Sequence, residues 1–215
     1  LRLAGQVPLR CLPPTHFRAL EEADVTLVDR EQDHAEFRVF EAFARELLLM
    51  APLLRNLTLS VLEGDGTDTG WPFQTQPTAR ARRQQPVHRP ALQRLCVKAP
   101  EGRFIDLRGR FEFPALRLAD GAALLDPQQM PGALDVRLTR VRLPELLASC
   151  PRVQTIVTKD FGSLSNYHVV SGCPTLQRLE TYHAVVVDLV AAVLRACPGL
   201  TTLRLVNQYD DIRGF

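Results

Sequence analysis

Aliphatic residues fall three, six and eight positions after a small or cysteine residue that is itself followed by proline, and this spacing recurs along the chain. Cys197-Pro198-Gly199-Leu200 continues to Leu203 and Leu205, Cys173-Pro174-Thr175-Leu176 to Leu179 and Thr181, and Cys150-Pro151-Arg152-Val153 to Ile156 and Thr158. Looser copies run from Met130-Pro131-Gly132-Ala133 to Val136 and Leu138, from Arg89-Pro90-Ala91-Leu92 to Leu95 and Val97, and from Ala51-Pro52-Leu53-Leu54 to Leu57 and Leu59. The alternation that closes each copy has the two-residue period of a strand, which turns the aliphatics inward and the residues between them outward. It predicts strands at Asn56 to Val61, Arg94 to Lys98, Asp135 to Thr139, Thr155 to Lys159, Arg178 to Tyr182 and Thr202 to Asn207, with earlier ones at Asp24 to Val28 and Leu1 to Ala4.

Aliphatic doublets precede four of the copies by four and three positions: Leu47-Leu48, Leu146-Leu147, Val169-Val170 and Val193-Leu194. They read as the last core-facing turn of a helix, with helices set in Glu36 to Met50 and Ala184 to Ala196. The unit is therefore helix, proline-marked turn, strand, since proline stops the helix and needs no backbone donor in the turn. Copies begin at residues 51, 89, 130, 150, 173 and 197, so the last three intervals, of 20, 23 and 24 residues, hold one unit each. The interval after 51 contains Glu63 to Arg89, which lacks periodicity and is read as an inserted, mobile loop. The interval after 89 is expected to hide a degenerate unit around Phe104 to Leu107 or Ala115 to Leu118. Within the insertion, Trp71-Pro72-Phe73 either docks a partner or folds back on the domain, and the basic run Arg80, Arg82, Arg83, His88 and Arg89 is read as a solvated loop.

Composition narrows the function by subtraction. With 26 basic against 24 acidic residues and a net charge of +2, no bulk field calls for nucleic acid or an anionic membrane. The longest apolar stretch, Ala184 to Leu194, is interrupted by Asp188 and falls short of the roughly 20 residues that span a bilayer. The chain opens on Leu1, and the reading is of a fragment of a longer protein forming one domain over 1–215. Five cysteines are an odd number, and Cys150, Cys173 and Cys197 share one position of the unit, which suits small buried thiols better than disulfides. Reduced thiols imply the cytoplasm or nucleus. No C-x-x-C occurs, and His16, His34, His88, His168 and His183 lack ligand spacing, so neither metal nor cofactor is expected. None of G-x-G-x-x-G, G-x-x-x-x-G-K-[ST], G-x-S-x-G or H-E-x-x-H is present, and the neighbouring carboxylates Glu21-Glu22 and Asp210-Asp211 have no convergent base. The expectation is a binding module and not an enzyme.

The phrase Cys-Pro-x-Leu-x-x-Leu-x-Leu resembles the cysteine-containing class of leucine-rich repeats, similar to those of F-box ubiquitin-ligase receptors and ribonuclease-inhibitor-like proteins, over Glu36 to Asn207 and most closely from Met130 onward. That resemblance implies an α/β solenoid, a horseshoe arc with parallel strands on its concave face and helices on its convex face. The outward strand positions, five and seven after each start, would then form one protein-binding surface: Asn56, Thr58, Arg94, Cys96, Asp135, Arg137, Thr155, Val157, Arg178, Glu180, Thr202 and Arg204. The implied function is substrate recognition in an F-box-type receptor, whose Skp-type adaptor and cullin would engage a region outside this chain. The alternative is a scaffold subunit built permanently into a large assembly. Arginines on several rungs suit a protein ligand that offers carboxylates and other acceptors.

Overall fold

The computed structural model describes residues 2–4, 15–29, 34–63, 86–99, 103–159, 172–182 and 187–205. The chain is α/β, with strands and a few helices in the order β1 (Arg2–Ala4), α1 (Thr15–Arg18), β2 (Glu22–Asp29), α2 (His34–Met50), β3 (Asn56–Glu63), β4 (Val87–His88), β5 (Arg94–Lys98), β6 (Ile105–Asp106), β7 (Phe111–Glu112), β8 (Leu118–Gly121), β9 (Ala123–Leu124), β10 (Asp135–Leu138), α3 (Leu143–Ser149), β11 (Thr155–Thr158), β12 (Arg178–Thr181), α4 (Val187–Ala196) and β13 (Thr202–Leu205). Nine of these strands form one sheet in the order β1-β2-β3-β5-β8-β10-β11-β12-β13. Every pair in it is parallel. A parallel neighbour requires a return crossover, and here each crossover brings the chain back beside the strand it has just left.

The turns before eight of the nine strands of this sheet, β2 onward, repeat one hydrogen bond. The Leu176 amide donates to the Cys173 carbonyl at 3.2 Å, Val153 to Cys150 at 3.1 Å, and Leu200 to Cys197 at 3.1 Å. The same three-residue closure joins Ala133 to Met130, Leu92 to Arg89 and Leu54 to Ala51, and it recurs where no clear copy stood out in the sequence, from Leu116 to Phe113 and from Leu20 to Phe17. Proline suits the second position of such a turn because its fixed φ is already that of the bend. The carbonyl just before each strand accepts two amides from the next: Gln154 takes Gln177 and Arg178, and Gln177 takes Thr201 and Thr202. Register follows, with Leu57 opposite Leu95, Leu95 opposite Ala119, Ile156 opposite Leu179, and Leu179 opposite Leu203. Inward aliphatics are stacked on one another across strands, and Leu57, Leu95, Ala119, Val136 and Ile156 are fully buried.

A second layer covers the inner side of the sheet. On α2, Phe40, Ala44, Leu47 and Leu48 are buried, the one-in-four spacing of a core-facing helix stripe. On α3 the doublet Leu146-Leu147 is buried as well; on α4 Val193 is buried but Leu194 is 52% exposed, so only the first half of that doublet faces the core. Val169-Val170 lies outside the described residues.

The expectation of a helix in every unit fails in the middle of the chain. There β4 pairs with β7, β6 pairs with β9, and Pro127–Gln129 forms a short 3-10 turn. The starts at Phe113 and Met130 are 17 residues apart, too few for a helix of ordinary length between two turns. Buried Gln129 ties this region together: its side-chain amide donates to the Leu107 carbonyl at 2.9 Å and the Phe111 carbonyl at 2.5 Å, while its carbonyl oxygen accepts the Asp126 amide at 2.7 Å. From α2, the Glu41–Arg45 pair, 2.7 Å apart, does the work of an adjacent strand for Asp106: Arg45 donates to its carbonyl at 2.6 Å and Glu41 accepts its amide at 3.0 Å. A backbone group buried without a partner would be costly, and these side chains supply one.

The described ends of the segment read as an inserted loop are built into the fold. Glu63 closes β3, Val87 and His88 form β4, and His88 faces Glu112 at 3.1 Å. Arg89 donates to the carbonyls of Leu48 and Leu49 and so caps the C-terminus of α2, where a cation meets the negative end of the helix dipole. That role explains why an arginine stands where the last three turns have cysteine. Trp71-Pro72-Phe73 and Arg80, Arg82 and Arg83 lie outside the described residues.

Candidate protein-binding face

Residues five and seven after each start project from the outer side of the sheet, because their inward neighbours are held in the core. Asn56 and Thr58 stand on β3, Arg94 on β5, Asp135 and Arg137 on β10, Thr155 on β11, Arg178 and Glu180 on β12, and Thr202 and Arg204 on β13. Pairing brings them into two rows: Asn56 is opposite Arg94, Thr155 opposite Arg178, Arg178 opposite Thr202, and Glu180 opposite Arg204. The strands that follow the turns at Phe17 and Phe113 add Glu22 and Asp24 on β2 and Leu118 and Asp120 on β8 to the same rows. Leu118 is opposite Arg94 and Asp135; Asp120 is opposite Cys96 and Arg137. All these side chains keep some exposure except Cys96 and Glu180, each 5% exposed.

The face is charged but largely self-paired on β10 and β12. Arg137 bonds Asp135 at 2.7 Å, and that hydrogen bond pushes its guanidinium above the ordinary arginine range, with Asp120 and Glu180 adding to the effect and burial opposing it. Arg178 bonds Glu180 at 2.7 Å, and Asn56 donates to Glu22 at 2.7 Å. Two residues apart on a strand lie on one face, so Asp135-x-Arg137 and Arg178-x-Glu180 carry this pairing in their spacing. Arg94, Lys98 and Arg204 are exposed and form no ion pair or side-chain hydrogen bond among the described residues.

Among the described residues the thiols offer no nucleophile. Cys96, Cys150, Cys173 and Cys197 are free and buried. Burial pushes the Cys150 thiol up to about 12, and its Sγ donates to the Met130 carbonyl at 3.2 Å. Burial and then Asp120 raise Cys96, while Lys98 and Arg94 pull it back. Thiolates this disfavoured do not attack or bind metal readily. Among the described residues no group of three or more His, Cys, Asp or Glu is placed to hold a metal ion, and no helix is long and apolar enough to cross a membrane. Comparison with protein-family models, curated proteins and solved structures finds no match to this chain.

Proposed function

We propose that the chain is a non-enzymatic protein-binding module of the leucine-rich-repeat type, its parallel strands forming the concave face of a solenoid arc. On this reading it serves as the substrate-recognition part of an F-box-type ubiquitin-ligase receptor. The observation that carries the binding role is the outward face itself: in-register strands present two rows of mostly polar and charged side chains, broken by Leu118 in one and by Cys96 and Val157 in the other, with some exposure at nearly every position. The recurrent turn bond and the shared position of Cys150, Cys173 and Cys197 support the repeat reading. The ligase assignment rests on the resemblance of the Cys-Pro phrase and on nothing in the sheet.

The test uses the full-length protein purified from its own cells. Stoichiometric recovery of a Skp-type adaptor and cullin, with a further protein lost on changing Arg137, Arg178 and Arg204 together to Glu, is the expected result. Recovery in a fixed assembly without adaptor or cullin selects the scaffold alternative. Partner recovery insensitive both to the triple change and to changing Arg94 and Lys98 together to Glu removes the outward face as the binding site.

A further inference from the structure

Resting on that reading of the outer face, we infer that β5 is where the ligand is anchored: Arg94 and Lys98 receive carboxylates of an acidic protein segment lying across β3, β5 and β8. The arginines of β10 and β12 are already satisfied. Arg137 is bonded to Asp135 and has Asp120 and Glu180 around it, and Arg178 is bonded to Glu180. Drawing a ligand carboxylate to either means breaking an existing pair, which returns little net energy. Arg94 and Lys98 have no such partner among the described residues. They leave the same face of one strand four residues apart, both exposed, with the short side chain of Cys96 between them.

The neighbours decide what kind of anion fits. On β3, partly exposed Thr58 stands opposite Cys96 and adds a hydroxyl donor, while Ser60, opposite Lys98, is buried. On β8, Leu118 is opposite Arg94 and gives an aliphatic surface beside the guanidinium, the mix of arginine and apolar contact that dominates binding energy at interfaces. Carboxylates flank this patch on both sides, with Asp120 one strand away on β8 and Asp24 two strands away on β2. At roughly 4.8 Å per strand step, a nucleic acid or other uniform polyanion lying across the sheet would meet these acids at once. A polypeptide can place two carboxylates on β5 and neutral or basic side chains on either side. An acidic protein segment is therefore the occupant the charge pattern fits.

A random peptide library displayed on phage, selected against the full chain, supplies the probe. The expected result is enrichment of peptides carrying clustered Asp or Glu, whose affinity falls roughly tenfold or more on changing Arg94 and Lys98 together to Glu. Arg152→Glu, which makes the same charge change on an exposed turn away from this face, leaves their affinity unaltered. The pair Arg94→Ala and Lys98→Ala gives a smaller loss in the same direction, and the melting temperature of each variant confirms that it folds. Acidic peptides lost on Arg137→Glu and Arg178→Glu but not on the β5 changes would overturn the anchor and leave the binding face standing. Selected peptides indifferent to every outward residue would overturn both.

Discussion

At the scale of single residues, a few positions are dictated by space and solvation. Gly121 takes φ +91, and a Cβ there would overlap the Val97 carbonyl oxygen of the adjacent strand. Only glycine fits where a left-handed backbone runs so close to a neighbouring chain. Gly121→Ala should cost about 3 kcal/mol, read from urea denaturation; an unchanged midpoint would contradict this packing of β8 on β5. Cys150 is governed by desolvation. Its thiol is raised from 9.0 to about 12, so the fold favours the neutral form, and the stability this contributes is complete below pH 9.0 and lost as pH climbs toward about 12. Native protein should leave Cys150 unalkylated by iodoacetamide at pH 8 while urea-unfolded protein reacts, as peptide mass spectrometry would detect. Equal labelling in both states would rule out its burial.

At the scale of elements, the strands were legible because bulky aliphatics alternate with polar residues, and every one foreseen within the described residues is present to within a few residues of its expected bounds. The turn at Phe17 does not carry the phrase because Arg18 stands where the copies have proline, although the strand after it is expected at Asp24 to Val28, and the turn at Phe113 is bracketed only by the alternatives Phe104 to Leu107 and Ala115 to Leu118 because Ala119 and Gly121 replace the large aliphatics. Each carries the phase faintly, in Leu20, Ala23 and Val25 or in Pro114 and Leu116. The middle layer was not legible: a side-chain pair on α2 serving the backbone of β6 depends on contacts more than 60 residues apart in the chain. Packing also grades the leucines. Leu179 is 2% exposed between β11 and β13, whereas Leu203 is half-buried on β13. Leu179→Ala should destabilise by roughly 2–5 kcal/mol and Leu203→Ala by distinctly less, since a cavity forms only where atoms close on every side. Equal melting-temperature losses would show that β13 is covered as fully as β12.

At the scale of the molecule, stacking turns a local alternation into a surface. Sequence spacing was enough to assign residues to the outer face, because a period of two fixes which side of a sheet each one takes. It did not reveal how the charges divide along that face, since the phrase-by-phrase reading set Asp135 beside Arg137 and Arg178 beside Glu180 without weighing them as pairs. The division matters to the proposed binding: β10 and β12 are internally neutralised, and β5 is left basic between acidic β2 and β8. The central claim is that one parallel, in-register sheet carries these positions in a row, and electron–electron resonance between paired spin labels tests it most directly. Labels at Thr58 and Val157 are four strand steps apart and labels at Thr58 and Arg204 six, so the two distances should be about 19 Å and about 29 Å at the usual strand spacing. Distances that do not lengthen with the number of intervening strands would contradict the sheet, and with it the binding face.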